Sequence, residues 1–405
     1  MATLKFKRFT KPRVLMQIGR GLLDRFFDRF KEDLAAKNVQ LPSEDVHDDE
    51  YFQKLAGALM APEGLPEKLS EVLFAIDEMA NEEGHERLLA AVRASGLELS
   101  FDEKSTHADV AMQVWLAKPD LLVEKHNELR LSRLATFEYF GSKAPMNRGE
   151  TVVLPDQAVL ELLAADLDAW CKEHNRGEQT AHIEVHQWED EFWFLVRHGD
   201  TFARTPKVER RLTEVLHYRP AKDDVVVYSQ SRNEIRIHAD TKGERELYRT
   251  TFGKRLFDDD EYFSERKAYT LEPLREDGWG ALDTDGIPKL DRVVLVEIEI
   301  LYGGTFKEVV VRKADDIFTA AKARERTAIP GGGRVVRAGF DFYFKGAKKP
   351  RKIQVRPPNI LKLCRYCDAA VVQQWLSARG FRSNVAGGEG AGSSEGNNVE
   401  GVGSS

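Results

Sequence analysis

Residues 334–356 read RVVRAGFDFYFKGAKKPRKIQVR, and their pattern decides the predicted fold of the C-terminal part of the chain. Phe340 and Phe342 alternate with polar side chains, a period of two that is typical of a strand with one buried face. Ile353 and Val355 repeat this alternation after a lysine-rich stretch that contains glycine and proline. The stretch therefore predicts an antiparallel hairpin whose apolar face lies in the protein core.

The same alternation predicts a polar face on this hairpin, and that face is rich in basic residues. A sheet face that carries an aromatic ring among positive charges can stack a nucleobase and neutralise phosphates. Asn359 and Lys362 follow, at the start of a helix predicted over Ile360–Ala378 and on the side away from Cys364 and Cys367, which we expect in the core. The predicted nucleic-acid contacts are Arg337, Tyr343, Lys345, Lys348, Lys349, Arg351, Lys352, Arg356, Asn359 and Lys362.

The distribution of charge also favours a polyanionic partner. The whole chain has 60 basic and 67 acidic residues, which gives a formal net charge of −7. Residues 334–382 contain twelve of the bases and two of the acids, so this segment carries +10 and the remainder −17. We therefore predict a non-enzymatic nucleic-acid-binding or regulatory protein, with nucleic acid or another polyanion as its partner. The competing interpretation is a solvated basic face that pairs with the chain's own carboxylates.

Strand signals continue upstream of this hairpin. Val293–Leu301 and Thr305–Arg312 flank Gly303, and glycine reaches the positive φ of a tight turn without steric penalty. Between residues 155 and 270 the sequence predicts one helix followed by further hairpins. The C-terminal half of the chain is therefore predicted to be rich in antiparallel strands.

The N-terminal third has helical periodicity throughout. Leu22, Phe26 and Phe30 recur at steps of four, which places them on one stripe of a helix, and Ser105 or Thr106 can cap a later helix. We therefore predict an α+β fold with an all-α N-terminal domain, a mixed segment, and a C-terminal antiparallel sheet with two helices. The predicted limits are 1–140, 155–270 and 288–382, followed by a disordered Gly/Ser-rich tail at 383–405.

A second candidate site is a metal-binding strand in the mixed segment. His182, Glu184 and His186 are two residues apart, which turns all three side chains to one face of a strand. Histidine and carboxylate groups are common ligands of zinc and iron, so a metal-dependent hydrolase is an alternative function. A three-residue loop would add His198 to the same face. A two-residue turn, the more common kind, would place it opposite Ile183 on the other face.

The same hairpin contains Arg197-His198-Gly199, which resembles the Arg-His-Gly signature of the histidine phosphatase family. The resemblance implies a phosphorylated histidine, arginines that hold the phosphoryl oxygens, and a second histidine late in the chain. No histidine follows His238, and the tripeptide lies on the second arm of a hairpin instead of after the first strand of a domain. We therefore interpret the match as a coincidence.

Composition and motifs also bear on the remaining classes of protein. No stretch of about 18 apolar residues occurs, so no membrane span is predicted. Three cysteines are too few for a disulfide framework, which favours a reducing, cytoplasmic location. The sequence has no glycine-rich nucleotide motif, we predict no cofactor, and the residues leave open whether the protein is an enzyme. A third possible function is a scaffold whose N-terminal helices bind a partner protein.

Overall fold

A computed structural model of the chain describes residues 6–43, 45–60, 64–99, 105–132, 134, 136–142, 153–188, 190–209, 211–265, 267–363 and 369–383. The chain forms two compact units, Met1–Leu134 and Ala135–Ser405. The described residues contain thirteen α-helices and thirteen strands, so the predicted α+β class is confirmed.

The first unit is helical, as the sequence predicts. Its helices are α1 (Pro12–Leu15), α2 (Arg20–Asp28), α3 (Lys31–Ala36), α4 (Asp48–Ala58), α5 (Glu67–Met79), α6 (Glu82–Ser95), α7 (His107–Ala117) and α8 (Pro119–Ser132). Phe26, Leu73 and Met112 are 0 % exposed and lie in one apolar core of the described residues. Thr106 caps α7, as predicted, and exchanges hydrogen bonds with Asp109 in a capping box.

The second unit is built on one antiparallel sheet of eleven strands. Its strands are β1 (Thr136–Ser142), β2 (His182–Trp188), β3 (Glu191–Gly199), β6 (Ala221–Ser229), β7 (Glu234–His238), β8 (Phe263–Glu265), β9 (Leu290–Gly303), β10 (Glu308–Lys313), β11 (Arg334–Phe344), β12 (Arg351–Arg356) and β13 (Ile360–Lys362). They follow the order β10-β9-β11-β12-β13-β1-β7-β6-β3-β2, with β8 paired to β1. The strands β4 (Ala203–Glu209) and β5 (Leu212–Tyr218) form a separate two-stranded sheet.

Helices of this unit pack on the sheet through apolar side chains. The helices are α9 (Gln157–Glu173), α10 (Lys242–Phe257), α11 (Pro273–Glu276), α12 (Ile317–Ala323) and α13 (Ala369–Ala378), with a 3-10 turn at Gly278–Leu282. Leu163 of α9 and Phe252 of α10 pack in one core with strands β3, β6 and β7. Phe340 and Phe342 of β11 are 0 % exposed, and their rings lie 5.8 and 5.0 Å from that of Trp375 on α13. The buried face predicted for the 334–356 hairpin is therefore confirmed.

The large sheet crosses the boundaries that the sequence suggests. Strand β1, which falls at the end of the predicted helical domain, lies between β13 and β7. It pairs through Phe137 with Leu361 and through Phe140 with Ile235, so the predicted 155–270 and 288–382 segments share one sheet. Strands that pair over such long separations leave no local pattern in the sequence that would predict the pairing.

The predicted helix over Ile360–Ala378 is wrong in its first part. Residues Ile360–Lys362 form β13, and the helix is described over Ala369–Ala378. Leu361 is 0 % exposed and pairs with Val355 on one side and Phe137 on the other, so sheet pairing overrides the helical spacing of these residues. Cys364 and Cys367 lie outside the described residues.

Candidate nucleic-acid interface

The hairpin of β11 and β12 carries a cluster of exposed basic side chains around its turn. The backbone N–H of Lys345 donates to the carbonyl of Lys289 at 3.0 Å, and Tyr343 pairs with Arg292 across β9 and β11. Lys289, just before β9, and Arg292, in β9, therefore add two cations that are distant in sequence from the predicted contacts. We call the resulting cluster the basic tip; it comprises Lys289, Arg292, Lys345, Lys348, Lys349 and Lys352, all of them exposed.

The charges of the basic tip are largely unmatched. Among the described residues, no carboxylate lies within 4.0 Å of the side-chain nitrogen of Lys345, Lys348 or Lys349. Burial raises the pKa of the Asp341 carboxyl. The positive charge of Lys352, which faces Asp341 across the hairpin, lowers this pKa by a smaller amount. The exposed lysines of the turn therefore keep their charge available to an external anion.

Two of the predicted contact residues are used inside the protein. Arg337 lies 2.6 Å from a carboxylate oxygen of Glu297 and 2.8 Å from one of Glu299. Asn359 is 2 % exposed, and its amide donates to the carbonyl of Tyr139 at 3.1 Å. Neither side chain is offered to a ligand, because strand pairing with β9 and β1 brings these acceptors to them.

Other bases counted in the +10 segment are also paired. Arg379 lies 3.1 Å from the carboxylate of Asp283, and Arg382 lies 2.7 Å from that of Glu234. The guanidinium of Arg382 is mostly buried and lies 5.7 and 5.9 Å from the ring centroids of Tyr139 and Tyr269. The sequence cannot reveal these ion pairs, since the partners are distant in the chain. The exposed positive charge of residues 334–382 is consequently smaller than the net charge of +10 suggests.

The remaining predicted contacts divide between the two faces of the hairpin. Arg356 is exposed on the face of Lys352, and Lys362 lies opposite Gln354 on that same face. Arg351 lies opposite Phe342, toward the apolar face, and is half-buried. The open face thus extends the basic tip along β12 to β13.

Tyr343 is the predicted stacking residue, and one face of its ring is already occupied. The guanidinium of Arg292 lies 4.2 Å from the ring centroid, a cation–π contact. The pair forms a flat, positively charged unit beside the lysines. A nucleobase could stack on the guanidinium plane or on the other face of the ring.

The histidine strand does not gather its predicted ligands at one point. Trp188 pairs with Glu191 and His182 with Arg197, so His198 lies on the other face of the sheet, as a two-residue turn requires. The predicted pairing of His198 with Ile183 is wrong by two positions, because Ile183 lies opposite Val196. On the exposed face, the imidazoles of His182 and His186 lie 3.5 and 3.8 Å from different oxygens of Glu184. The carboxylate separates the two histidines.

His198 instead belongs to a buried polar cluster where β3, β6 and α10 meet. Its Nε2 lies 3.0 Å from Oδ2 of Asp224, which also accepts a 2.9 Å hydrogen bond from the hydroxyl of Tyr248. Asp224 and Glu244 are each 1 % exposed, and Lys222 lies 2.6 Å from Glu244 and 3.5 Å from Asp224. Candidate ligand atoms of His198, Asp224 and Glu244 lie within 4.8 Å of one another.

The electrostatics of this cluster do not favour a metal ion. Oε1 of Glu244 faces both Lys222 and Arg176 at 2.6 Å, and Oε2 accepts from the backbone N–H of Thr241 at 2.8 Å. Burial opposes a charge on His198, but hydrogen bonds, that with Asp224 the largest, raise its pKa to about 10. A metal would have to displace a lysine, an arginine and a proton. The cluster therefore acts as an internal ion-pair network.

One sequence signal could have located part of this network. Thr241 and Glu244 form a Thr-x-x-Glu capping box at the start of α10. His198 and Asp224 lie beside the apolar runs of β3 and β6, and a polar side chain that is buried there needs a hydrogen-bonding partner. Their pairing depends on the alignment of β3 with β6 and is not visible in either strand alone.

No protein-family model matches the chain, and no curated protein matches it. In the part of the chain that the structure describes, no helix has both the length and the apolar character needed to cross a membrane.

Proposed function

We propose that this protein binds nucleic acid through the basic tip and the open face of β12 and β13. The observation that carries the proposal is the group of exposed lysines at 345, 348 and 349, which have no described carboxylate within 4.0 Å. Elsewhere in the same segment, buried or half-buried arginines are neutralised by acids of the chain. The contrast supports a surface whose charge is kept for an external partner.

The chemistry of the tip suits the nucleic-acid backbone. Lysine ammonium groups act as point charges toward phosphates, and binding them releases condensed counterions, so affinity falls as salt rises. Such contacts do not read sequence. The stacked pair of Arg292 and Tyr343 adds a planar surface for an unpaired base, which favours single-stranded segments over a continuous duplex.

The experiment is a salt titration of binding to labelled RNA and to single- and double-stranded DNA, each of about 20 nucleotides or base pairs. Replacing Lys345, Lys348 and Lys349 together with alanine should weaken binding to all three probes. It should also reduce the slope of log K against log salt by about 0.7 to 0.9 for each phosphate that is no longer neutralised. Fluorescence anisotropy from about 50 to 200 mM salt measures both quantities.

A matched variant removes the same charge elsewhere. Lys172, Lys242 and Lys254 are exposed on α9 and α10, so K172A/K242A/K254A also lowers the net charge by three. It should leave most of the affinity and the salt slope unchanged. Equal losses in the two triple variants, or binding that does not weaken with salt, would refute a localised interface.

The alternative functions have less support. The separation of His182 from His186 by Glu184 argues against a preformed metal centre for a hydrolase. A partner protein on the N-terminal helices remains a prediction from the sequence, and so does a cytoplasmic location. Metal analysis of the purified protein and a pull-down with nuclease treatment test the two alternatives directly.

A further inference from the structure

Strand β10 ends the large sheet, and no described strand pairs with its outer edge. It pairs with β9 in regular register from Val309 to Lys313. The shift near Glu308 arises because Tyr302 is an extra residue on β9, so the irregularity is on β9 and not on β10. Among the described residues, no backbone hydrogen bond reaches this strand from any element other than β9. The edge is therefore a row of donors and acceptors ready for another strand.

The centre of this edge is apolar and exposed. Val309 and Val311 are each 47 % exposed, and Phe306 in the preceding turn is 94 % exposed. Edge strands are normally protected by short length, bulges, prolines or charged side chains; the charged residues of β10 are Glu308, Arg312 and Lys313, so its centre, Val309–Val311, has no charge of its own. The opposite edge, β2, carries His182, Glu184 and His186 instead. An exposed apolar edge of this kind favours pairing with a further strand.

We propose that a second copy of this chain pairs with β10 through its own β10, so that the two sheets continue across a two-fold axis. For antiparallel strands related by such an axis, a residue at the axis faces itself. With the axis at Val310, Val309 of each copy faces Val311 of the other. In the same register Glu308 faces Arg312 on each side of the axis, so two pairs of opposite charges flank the valines, and beyond them Lys313 faces Lys307 of the other copy.

The charge pattern selects this register. Moving the axis to Val311 would set Val309 against Lys313 and Val310 against Arg312, which removes both the valine pairs and the charge pairs. Arg312 is already held in place, because its guanidinium donates to the carbonyls of Thr327 and Ala328 at 2.7 and 3.0 Å. Both of these acceptors are neutral, so Arg312 keeps its charge for a carboxylate of the second copy.

The predicted interface is small. One six-residue strand and a turn from each copy lie near the lower limit of specific interfaces, so we expect a dimer that dissociates at micromolar concentration. Sedimentation equilibrium of the full chain over about 1 to 200 µM should show a reversible monomer–dimer transition. A chain that stays monomeric over this range overturns the proposal.

The first variant test places like charges across the axis. In V309K/V311K the two introduced lysines face each other from the two copies, and the dissociation constant should rise at least about tenfold. The matched control is V208K/V215K on the β4–β5 sheet, where the valines are 75 and 51 % exposed. This control should dimerise like the unmodified protein. If it dissociates the dimer while V309K/V311K does not, the interface lies on β4–β5 and the proposal fails.

A charge exchange tests the register without relying on disruption alone. E308R sets arginine against arginine, and R312E sets glutamate against glutamate, so each variant alone should dimerise weakly. An equimolar mixture restores opposite charges at both positions and should form the mixed dimer, which native mass spectrometry resolves by mass. Failure of the mixture to associate, with both variants folded by circular dichroism, excludes this register. The outcome does not depend on the basic tip.

Discussion

His198 is a buried residue whose charge depends on its neighbours and therefore links pH to stability. Burial opposes its protonation, but hydrogen bonds to Asp224, Cys171 and Gly199 raise its pKa to about 10 from a usual value of 6.5. The folded chain thus holds a proton that the unfolded chain releases near pH 6.5. The stabilisation of the folded chain by the protonated His198 is complete below pH 6.5 and is lost as the pH rises to about 10. The free energy of unfolding should fall over this window by up to about 1.4 kcal/mol per pH unit.

Urea titrations of the unmodified protein and of H198Q at pH 6, 8 and about 10 separate this residue from other titrating groups, including Lys222. The stability difference between the two proteins should shrink as the pH rises, and a constant difference would contradict the assignment. The sequence selected His198 as a phosphatase-like or metal-binding residue. Its real partner, Asp224, is 26 residues away on another strand, so only the strand register reveals the pair.

At the scale of single elements, the cap of α7 shows what a local pattern can and cannot predict. Thr106 was identifiable as an N-cap, but Asp109 also accepts a 3.1 Å hydrogen bond from the backbone of Gly19, just before α2 and 90 residues away. Asp109 is 8 % exposed and joins the starts of two helices. D109A should therefore cost about 2 to 3 kcal/mol, more than an ordinary cap.

The control for this prediction is D316A. Asp316 caps α12 by accepting from the backbone of Thr319 at 3.0 Å, and it is bonded to no second helix among the described residues. Its removal should cost about 1 kcal/mol. Denaturant unfolding followed by circular dichroism compares the two variants, and equal costs would mean that the Gly19 contact contributes nothing to stability.

The 334–356 hairpin was predictable by the same kind of local pattern, because the alternation of its sequence and the burial of its side chains agree there.

At the scale of the whole molecule, the large sheet joins segments that the sequence separates. Composition suggests a boundary near 272–289, whereas β1 connects β13 to β7 and leaves one continuous sheet. Arg382, close to the end of the described chain, forms two hydrogen bonds of 2.8 and 2.7 Å with Glu234 on β7. One ion pair therefore bridges the predicted mixed segment and the predicted C-terminal domain, and no periodicity in either segment encodes it.

This bridge predicts cooperative unfolding of the second unit. Removing one partner of a buried ion pair costs about 3 kcal/mol, so R382A should destabilise strands on both sides of the former boundary together. Hydrogen exchange read by mass spectrometry should show protection falling to a similar extent in β7 and in β11, which are far apart in the sheet. R379A is the matched control, since Arg379 is paired with Asp283 at a more exposed site. A decrease in protection confined to β7 would mean that the two halves of the sheet open independently.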